Sequence, residues 1–149
     1  MSRFQKVSLL FARVSLGWLF FYSGITKILN PDWSAAGYIK GAQIFPSFFA
    51  WLLRPDILPT VNFLNEWGQL LLGVSLIIGF LVRPSAFFGA ALLALYYLAA
   101  LKFPYPNANS YIVDEHIIYI FILLYFAAIR AGKVFGLDGY FRHRLGLGK

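Results

Sequence analysis

Four stretches of this chain are apolar for longer than a buried soluble helix needs, and each carries a few polar residues at helical spacing. They run over residues 7–29, 58–81, 84–101 and 113–131. Each falls within the roughly 17–25 residues that cross a hydrocarbon layer about 30 Å thick as a helix. Pro84 suits a helix's first turn, and Gly132 is a plausible stop. The pattern predicts an all-α membrane protein, a four transmembrane helix bundle forming one domain over residues 1–149.

The connections differ in kind. Residues 80–84 leave only a tight turn, so the second and third spans pair as an antiparallel hairpin. The stretch 102–111 holds Pro104, Pro106 and two asparagines, which predicts an irregular loop. Residues 30–57 combine Trp33, Tyr38, Phe45, Phe48, Phe49 and Trp51 with Pro31, Pro46 and Pro55. That is too apolar for a free loop and too broken for a span. An interfacial or re-entrant segment fits, because amphipathic aromatics favour the headgroup level.

Composition sharpens the reading. With 60% hydrophobic and only 13% charged residues, the excess apolar surface must face lipid or other protein. Cysteine is absent, which excludes disulfides, iron–sulfur clusters and thiol catalysis. One Met and two His make a metal centre built by this chain alone an unpromising expectation, and no dinucleotide or phosphate-loop motif points to a flavin or nucleotide. The net charge of +7 does not imply nucleic acid, because no basic, aromatic-interleaved soluble patch carries it. Arg3 and Lys6 before the first apolar run resemble a signal peptide, but that run is too long for an ordinary one and reads as an uncleaved span.

The cations give an orientation. Arg3, Lys6, Arg83, Arg130, Lys133, Arg142, Arg144 and Lys149 fall on one side, and Lys27, Lys40, Arg54 and Lys102 on the other. The positive-inside rule then places both termini in the cytoplasm. Asp32, Asp56, Glu66, Asp114 and Glu115 lie at or near the outer face, and only Asp138 lies inside.

An ionisable group at mid-span costs about 2.5–3.5 kcal/mol on insertion scales, so each needs a partner, a cavity or a function. In the first span Arg13, Gly17, Phe20, Gly24 and Lys27 share one stripe, whose glycines admit a close neighbour. Glu66, Gln69 and Gly73 share a face in the second span. Tyr96 lies on the polar face of the third, and His116 and Tyr119 on that of the fourth. Depth separates Arg13 from Glu66. It brings Glu66 near Lys27, Tyr96, His116 and Tyr119, in a pocket in the outer half of the bundle.

In that pocket Glu66 and His116 are the catalytic candidates, as proton carriers. Arg13, Lys27, Tyr96, Asp114 and Tyr119 are the ligand-binding candidates. Each has a plainer reading beside it. Glu66 and Lys27 could form a purely structural pair. Asp114 and His116 could simply open a helix. Arg13 could face the bundle or snorkel to the inner headgroups, and Tyr97 could belong to an interfacial aromatic belt. The spacings Gly37-x-x-x-Gly41 and Gly132-x-x-x-Gly136 are too common to signify alone.

Taken in order, Arg13-x-x-Leu16-Gly17-Trp18-Leu19-Phe20-x-x-Ser23-Gly24-x-x-Lys27, Pro31-Asp32-Trp33-Ser34, Glu66-Trp67-Gly68, Leu72-Gly73, Tyr96-Tyr97, Val113-Asp114-Glu115-His116 and Gly136-Leu137-Asp138-Gly139 resemble the DoxX/DoxD membrane-protein family, and the DoxD branch most closely. The resemblance covers nearly the whole chain. It implies a multi-pass protein of a prokaryotic cytoplasmic membrane. It further implies a membrane subunit of thiosulfate:quinone oxidoreductase, with quinone as electron acceptor and a DoxA-like subunit as partner. No such domain follows Asp138, so a separate partner is expected. A non-catalytic anchor or assembly subunit and a small lipid-binding carrier are the alternatives.

Overall fold

The computed structural model describes residues 1–144, with side chains as far as Phe141. Arg142 and Arg144 therefore contribute backbone only, and Lys149 lies outside the described residues. The chain folds as α1 (Arg3–Ile28), α2 (Ala36–Ile39), α3 (Pro46–Leu52), α4 (Leu58–Ile78), α5 (Val82–Ala100), α6 (Glu115–Ala128), a 3₁₀ turn (Ala131–Lys133) and α7 (Leu137–Arg144). Helices α1, α4 and α5 are long and apolar enough to cross a membrane. Helix α6 has 14 residues, about 21 Å at 1.5 Å per residue. It falls short of the expected 113–131 because Val113 and Asp114 are extended or capping and Arg130 turns left-handed at φ 54°.

Two antiparallel pairs build the bundle: α1 lies along α4, and α5 along α6. The first pair is set by glycine. A Cβ on Gly73 would stand 2.6 Å from Phe21 Cα, and one on Gly24 would stand 2.8 Å from Leu70 Cα. Backbone thus meets backbone, which is how helices associate where lipid offers no hydrophobic drive. Leu16, Phe20, Leu72, Leu76, Val82, Leu123 and Phe126 fill the common core. As expected, α4 and α5 form a hairpin: Gly79 ends α4 with φ 72°, and α5 starts three residues later.

The segment 30–57 folds back over one end of the bundle. Ile39 and Phe49 are buried there with Ala35 and Ala99, under Trp33, Leu52 and Val61. The loop 101–114 closes the same end with two tight turns.

The opposite end carries the N-terminus, the α4–α5 turn and α7. Arg13 lies just inside it, 1% exposed, and faces the bundle rather than the headgroups. Its guanidinium donates to the carbonyls of Ala131 at 2.9 Å, Val134 at 3.2 Å and Phe135 at 3.1 Å. These carbonyls follow the C-terminus of α6, where the helix dipole favours a cation. Asp138 does the converse for α5. Its carboxylate accepts from Leu81 N at 2.8 Å and Val82 N at 3.1 Å, capping the positive end of that helix. Gly79 and Gly136 admit the guanidinium, since a Cβ on either would stand 2.7 Å from Arg13 Nη1. The Gly132-x-x-x-Gly136 spacing therefore has a structural role that its commonness concealed.

Two stability measurements check this architecture. In detergent, Gly73→Val should destabilise by about 1–3 kcal/mol through overpacking, whereas Gly37→Ala, which meets nothing within 4 Å, should be near neutral. Asp138→Ala should cost about 0.5–2 kcal/mol, the range of a lost helix cap. Arg13→Ala should cost more, because three carbonyls lose a charged donor together. Equal melting temperatures for Arg13→Ala and wild type would disprove the clamp.

Candidate functional site

At the end closed by segment 30–57, side chains from four helices surround a cavity of about 380 Å³. Helix α1 contributes Phe20, Ser23 and Lys27, α4 Gln69, α5 Tyr96, and α6 His116 and Tyr119, while Tyr38 of α2 closes the top. Tyr38 meets Tyr96 edge to face at 5.0 Å. A narrower apolar cleft continues behind these two rings, between Phe49, Leu52, Val61 and Leu92.

Polarity in the cavity is organised by an amide. Gln69 is 4% exposed. Its Oε1 accepts from Ser23 Oγ at 2.8 Å and from Lys27 Nζ. Its Nε2 donates to Tyr96 OH at 3.4 Å, and Tyr96 OH donates in turn to Asn65 Oδ1 at 2.7 Å. Lys27 Nζ also donates to Ser23 Oγ at 2.8 Å and stands over the rings of Trp33 and Tyr96 at 5.3 and 5.6 Å. The cation is thus held by neutral dipoles and aromatic faces.

The sequence reading put a carboxylate in this place. Glu66 does not line the cavity. The buried face of α4 comprises Asn65, Gln69, Leu72, Gly73, Ser75 and Leu76, and Glu66 sits half-buried at its edge, about 60° from Gln69 and about 20° from Gly73 at about 100° per residue. Its backbone carbonyl packs where Gly24 approaches α4. The Glu66 charge acts on Lys27 from a distance, and among the described residues no hydrogen bond or ion pair engages the carboxylate. The expected Glu66–His116 pairing is therefore absent among these contacts. Arg13 belongs to the far end of the bundle, where it is spent on backbone carbonyls.

His116 is placed by its own helix start. Asp114 caps α6, its Oδ1 accepting from His116 N at 3.0 Å and Ile117 N at 3.4 Å. Its Oδ2 lies 2.8 Å from His116 Nδ1. This contact holds the ring and leaves Nε2 to meet a ligand. The imidazole stacks against Tyr96, centroids 6.3 Å apart and planes 17° apart. Opening the helix is thus compatible with a place at the cavity: one carboxylate starts α6 and orients the ring. Tyr97 also has a specific task. Its hydroxyl donates to the carbonyl of Ile112, steadying a left-handed residue at φ 58° just before the cap.

Asp114, Glu115 and His116 bring possible metal-ligand atoms within 4.8 Å of one another. Both Asp114 oxygens are already engaged by the amides and the imidazole, so the trio is explained as a cap and a histidine clamp.

The residues missed by sequence reasoning are Gln69, Asn65, Ser23 and Tyr38. Gln69 shares a face with Glu66 in the sequence pattern, but an amide carries no acid–base signal to single it out. Tyr38 had no signal, since only folding of the 30–57 segment brings it here.

These features define a polytopic helical membrane protein with a polar, aromatic-walled cavity at one end of its bundle. The DoxX family model matches residues 8–103, which is more than half of the chain, and the chain belongs to the DoxX family. No curated protein and no solved structure matches it significantly.

The network makes an ordering testable. Gln69→Leu removes the shared partner of Ser23, Lys27 and Tyr96, and should destabilise by about 1–3 kcal/mol, the cost of orphaned buried polar groups. Glu66→Gln should cost less than Gln69→Leu. A reversed order in thermal melts would show that the carboxylate, not the amide, anchors the cavity.

Proposed function

We propose that this cavity binds the head of a membrane quinone, and that the chain is the membrane subunit of a quinone-linked oxidoreductase. The observation that carries the reading is the convergence of Lys27 Nζ, Tyr96 OH and His116 on one aromatic-walled cavity. A quinone is a flat apolar ring with two carbonyl oxygens. It asks for ring-stacking walls and for donors at those oxygens.

Its reduction takes two electrons and two protons. Lys27 and His116 Nε2 are the groups that can deliver protons within hydrogen-bond reach, with Asp114 stabilising the imidazole between transfers. Glu66 becomes a positioning charge near Lys27 rather than a proton donor to the ring. The electron donor suggested by the DoxD resemblance is thiosulfate: two thiosulfates join through a new S–S bond as tetrathionate and release the two electrons that the quinone takes up. A DoxA-like subunit is the expected companion.

The same reading includes the membrane topology. We place α1, α4, α5 and α6 across a prokaryotic cytoplasmic membrane as four spans. The Arg13–Asp138 end lies in the cytoplasm, following Arg3, Lys6, Arg83, Arg130 and Lys133. The cavity then opens under the outer face, where a periplasmic donor would arrive.

A second reading rests on α3. Phe45, Phe48 and Trp51 are 63%, 42% and 48% exposed, although Phe49 between them is buried. A non-catalytic anchor would use this aromatic ridge to hold a partner enzyme.

Lys27→Met and His116→Ala should each lower thiosulfate-dependent quinone reduction by at least about a hundredfold, the lower bound for a lost general acid, while the protein still folds in detergent. Full turnover in both variants would refute the catalytic reading. Loss of a co-purifying enzyme on changing Phe48 and Trp51 to Ser, with quinone binding absent from wild type, would favour the anchor.

A further inference from the structure

The cavity does not end at the polar cluster. Leu19 of α1 and Tyr119 of α6 also line a second space of about 250 Å³, bounded by Ala12, Ser15 and Ile122. Ala12 and Ile122 in turn line a third, of about 500 Å³, reaching Phe4, Gln5, Ser8 and Tyr125. Three spaces sharing walls in sequence make one seam between α1 and α6. On α1 the seam follows Gln5, Ser8, Ala12, Ser15 and Leu19, a stripe of alternating three- and four-residue steps, which is a straight line down one helix face. From Leu19 to Gln5 it extends about 21 Å at 1.5 Å per residue. Closing contacts elsewhere explain why it stays open: α1 is drawn onto α4 by Gly17, Gly24 and Gly73, and α6 onto α5. Small side chains at Ala12 and Ser15 leave the width.

The distribution of polarity along the seam specifies its occupant. Charged-type side chains cluster at one end, at Lys27, Glu115 and His116 beside Gln69, while the far end, at the rim beside Met1, carries the hydrogen-bonding side chains of Gln5, Ser8 and Tyr125 and no Lys, Arg, His, Asp or Glu. The middle is apolar apart from Ser15 and Tyr119. A transmembrane helix would present side chains at every level and leave the polar end unmatched. An amphiphile with one polar head and a long flexible tail matches both parts.

We infer that the α1–α6 seam is the tail groove of the quinone site. The head sits between Lys27 and His116, and the isoprenoid tail runs down past Leu19, Ile122 and Ala12 while remaining open to lipid along its length. The seam is thereby also the lateral route by which the head reaches the cavity. This rests on the quinone reading of the cavity and adds to it a selectivity for long-tailed substrates.

The test compares two probes, tailless duroquinone and decyl-tailed ubiquinone, titrated against purified protein in detergent by quenching of tryptophan fluorescence. Wild type should bind the tailed probe at least about tenfold more tightly, through packing of the tail against the groove walls rather than through its transfer from water. Ala12→Phe and Ser15→Phe, each exposed on α1 and blocking different parts of the seam, should abolish that advantage. Both should leave duroquinone affinity within about twofold. Leu71→Phe, on the outward face of α4 at 62% exposure, should change neither. If the tail advantage survives both seam variants, or if they weaken both probes equally, the groove assignment is wrong while the head site stands. If either variant alters the oligomeric state with the tail advantage intact, a second copy of the chain occupies the seam instead. If wild type binds neither probe, the quinone reading fails and this inference with it.

Discussion

A buried backbone carbonyl must find its donor inside the protein. One residue, Arg13, meets that demand for the irregular chain that follows α6. Its guanidinium reaches the carbonyls of Ala131, Val134 and Phe135, of which that of Ala131 also accepts from Val134 N at 3.1 Å. Asp138, on the α7 helix that begins two residues after Phe135, caps α5 in the same small volume. A cation sits at the negative end of one helix and an anion at the positive end of the next. With Gly79 and Gly136 making room, this clamp ties α1, α5, α6 and α7 together at one end. It frees the other end of the bundle to remain partly open.

That opening is where the polar chemistry collects. Glycine contacts bring α1 so close to α4 that Gln69 can reach Ser23 and Lys27 together. The amine is stabilised without a neutralising carboxylate in direct contact. A direct Lys27–carboxylate pair would have spent the cation within the protein, whereas an amide and two aromatic faces hold it and leave its charge available. The imidazole is treated differently, fixed through Nδ1 by a carboxylate that also begins its helix. One group is held by dipoles and the other by a charge, and both face the same cavity.

The segment over residues 30–57 links fold to site. Its buried residues, Ile39 and Phe49, anchor it against α5, and Tyr38 then covers Tyr96 from above. The segment that reads as an interfacial hairpin is therefore the roof of the cavity. Its stability and the shape of the site are one problem, since Tyr38 and Tyr96 border both the main cavity and the apolar cleft behind it.

Hydrophobic length and helical spacing determined much of this protein before any contact was known. They marked the three long apolar helices, the tight α4–α5 hairpin and the glycine stripe of α1, because these depend on properties local to ten or twenty residues. They also selected Lys27, Tyr96, Asp114, His116 and Tyr119, since ionisable and phenolic groups beside apolar runs stand out. Tertiary structure alone decided which of the candidates meet. On α4 the cavity takes Gln69, while Glu66, about 60° round the same face, stays out of its lining, and nothing in the local pattern fixes which side of a helix its neighbour will take. Likewise, Arg13 found its partners 118 and more residues away, in a stretch whose carbonyls carry no signature in side-chain sequence. The same holds for the seam between α1 and α6, because an opening between two helices is set by where each of them packs against a third element.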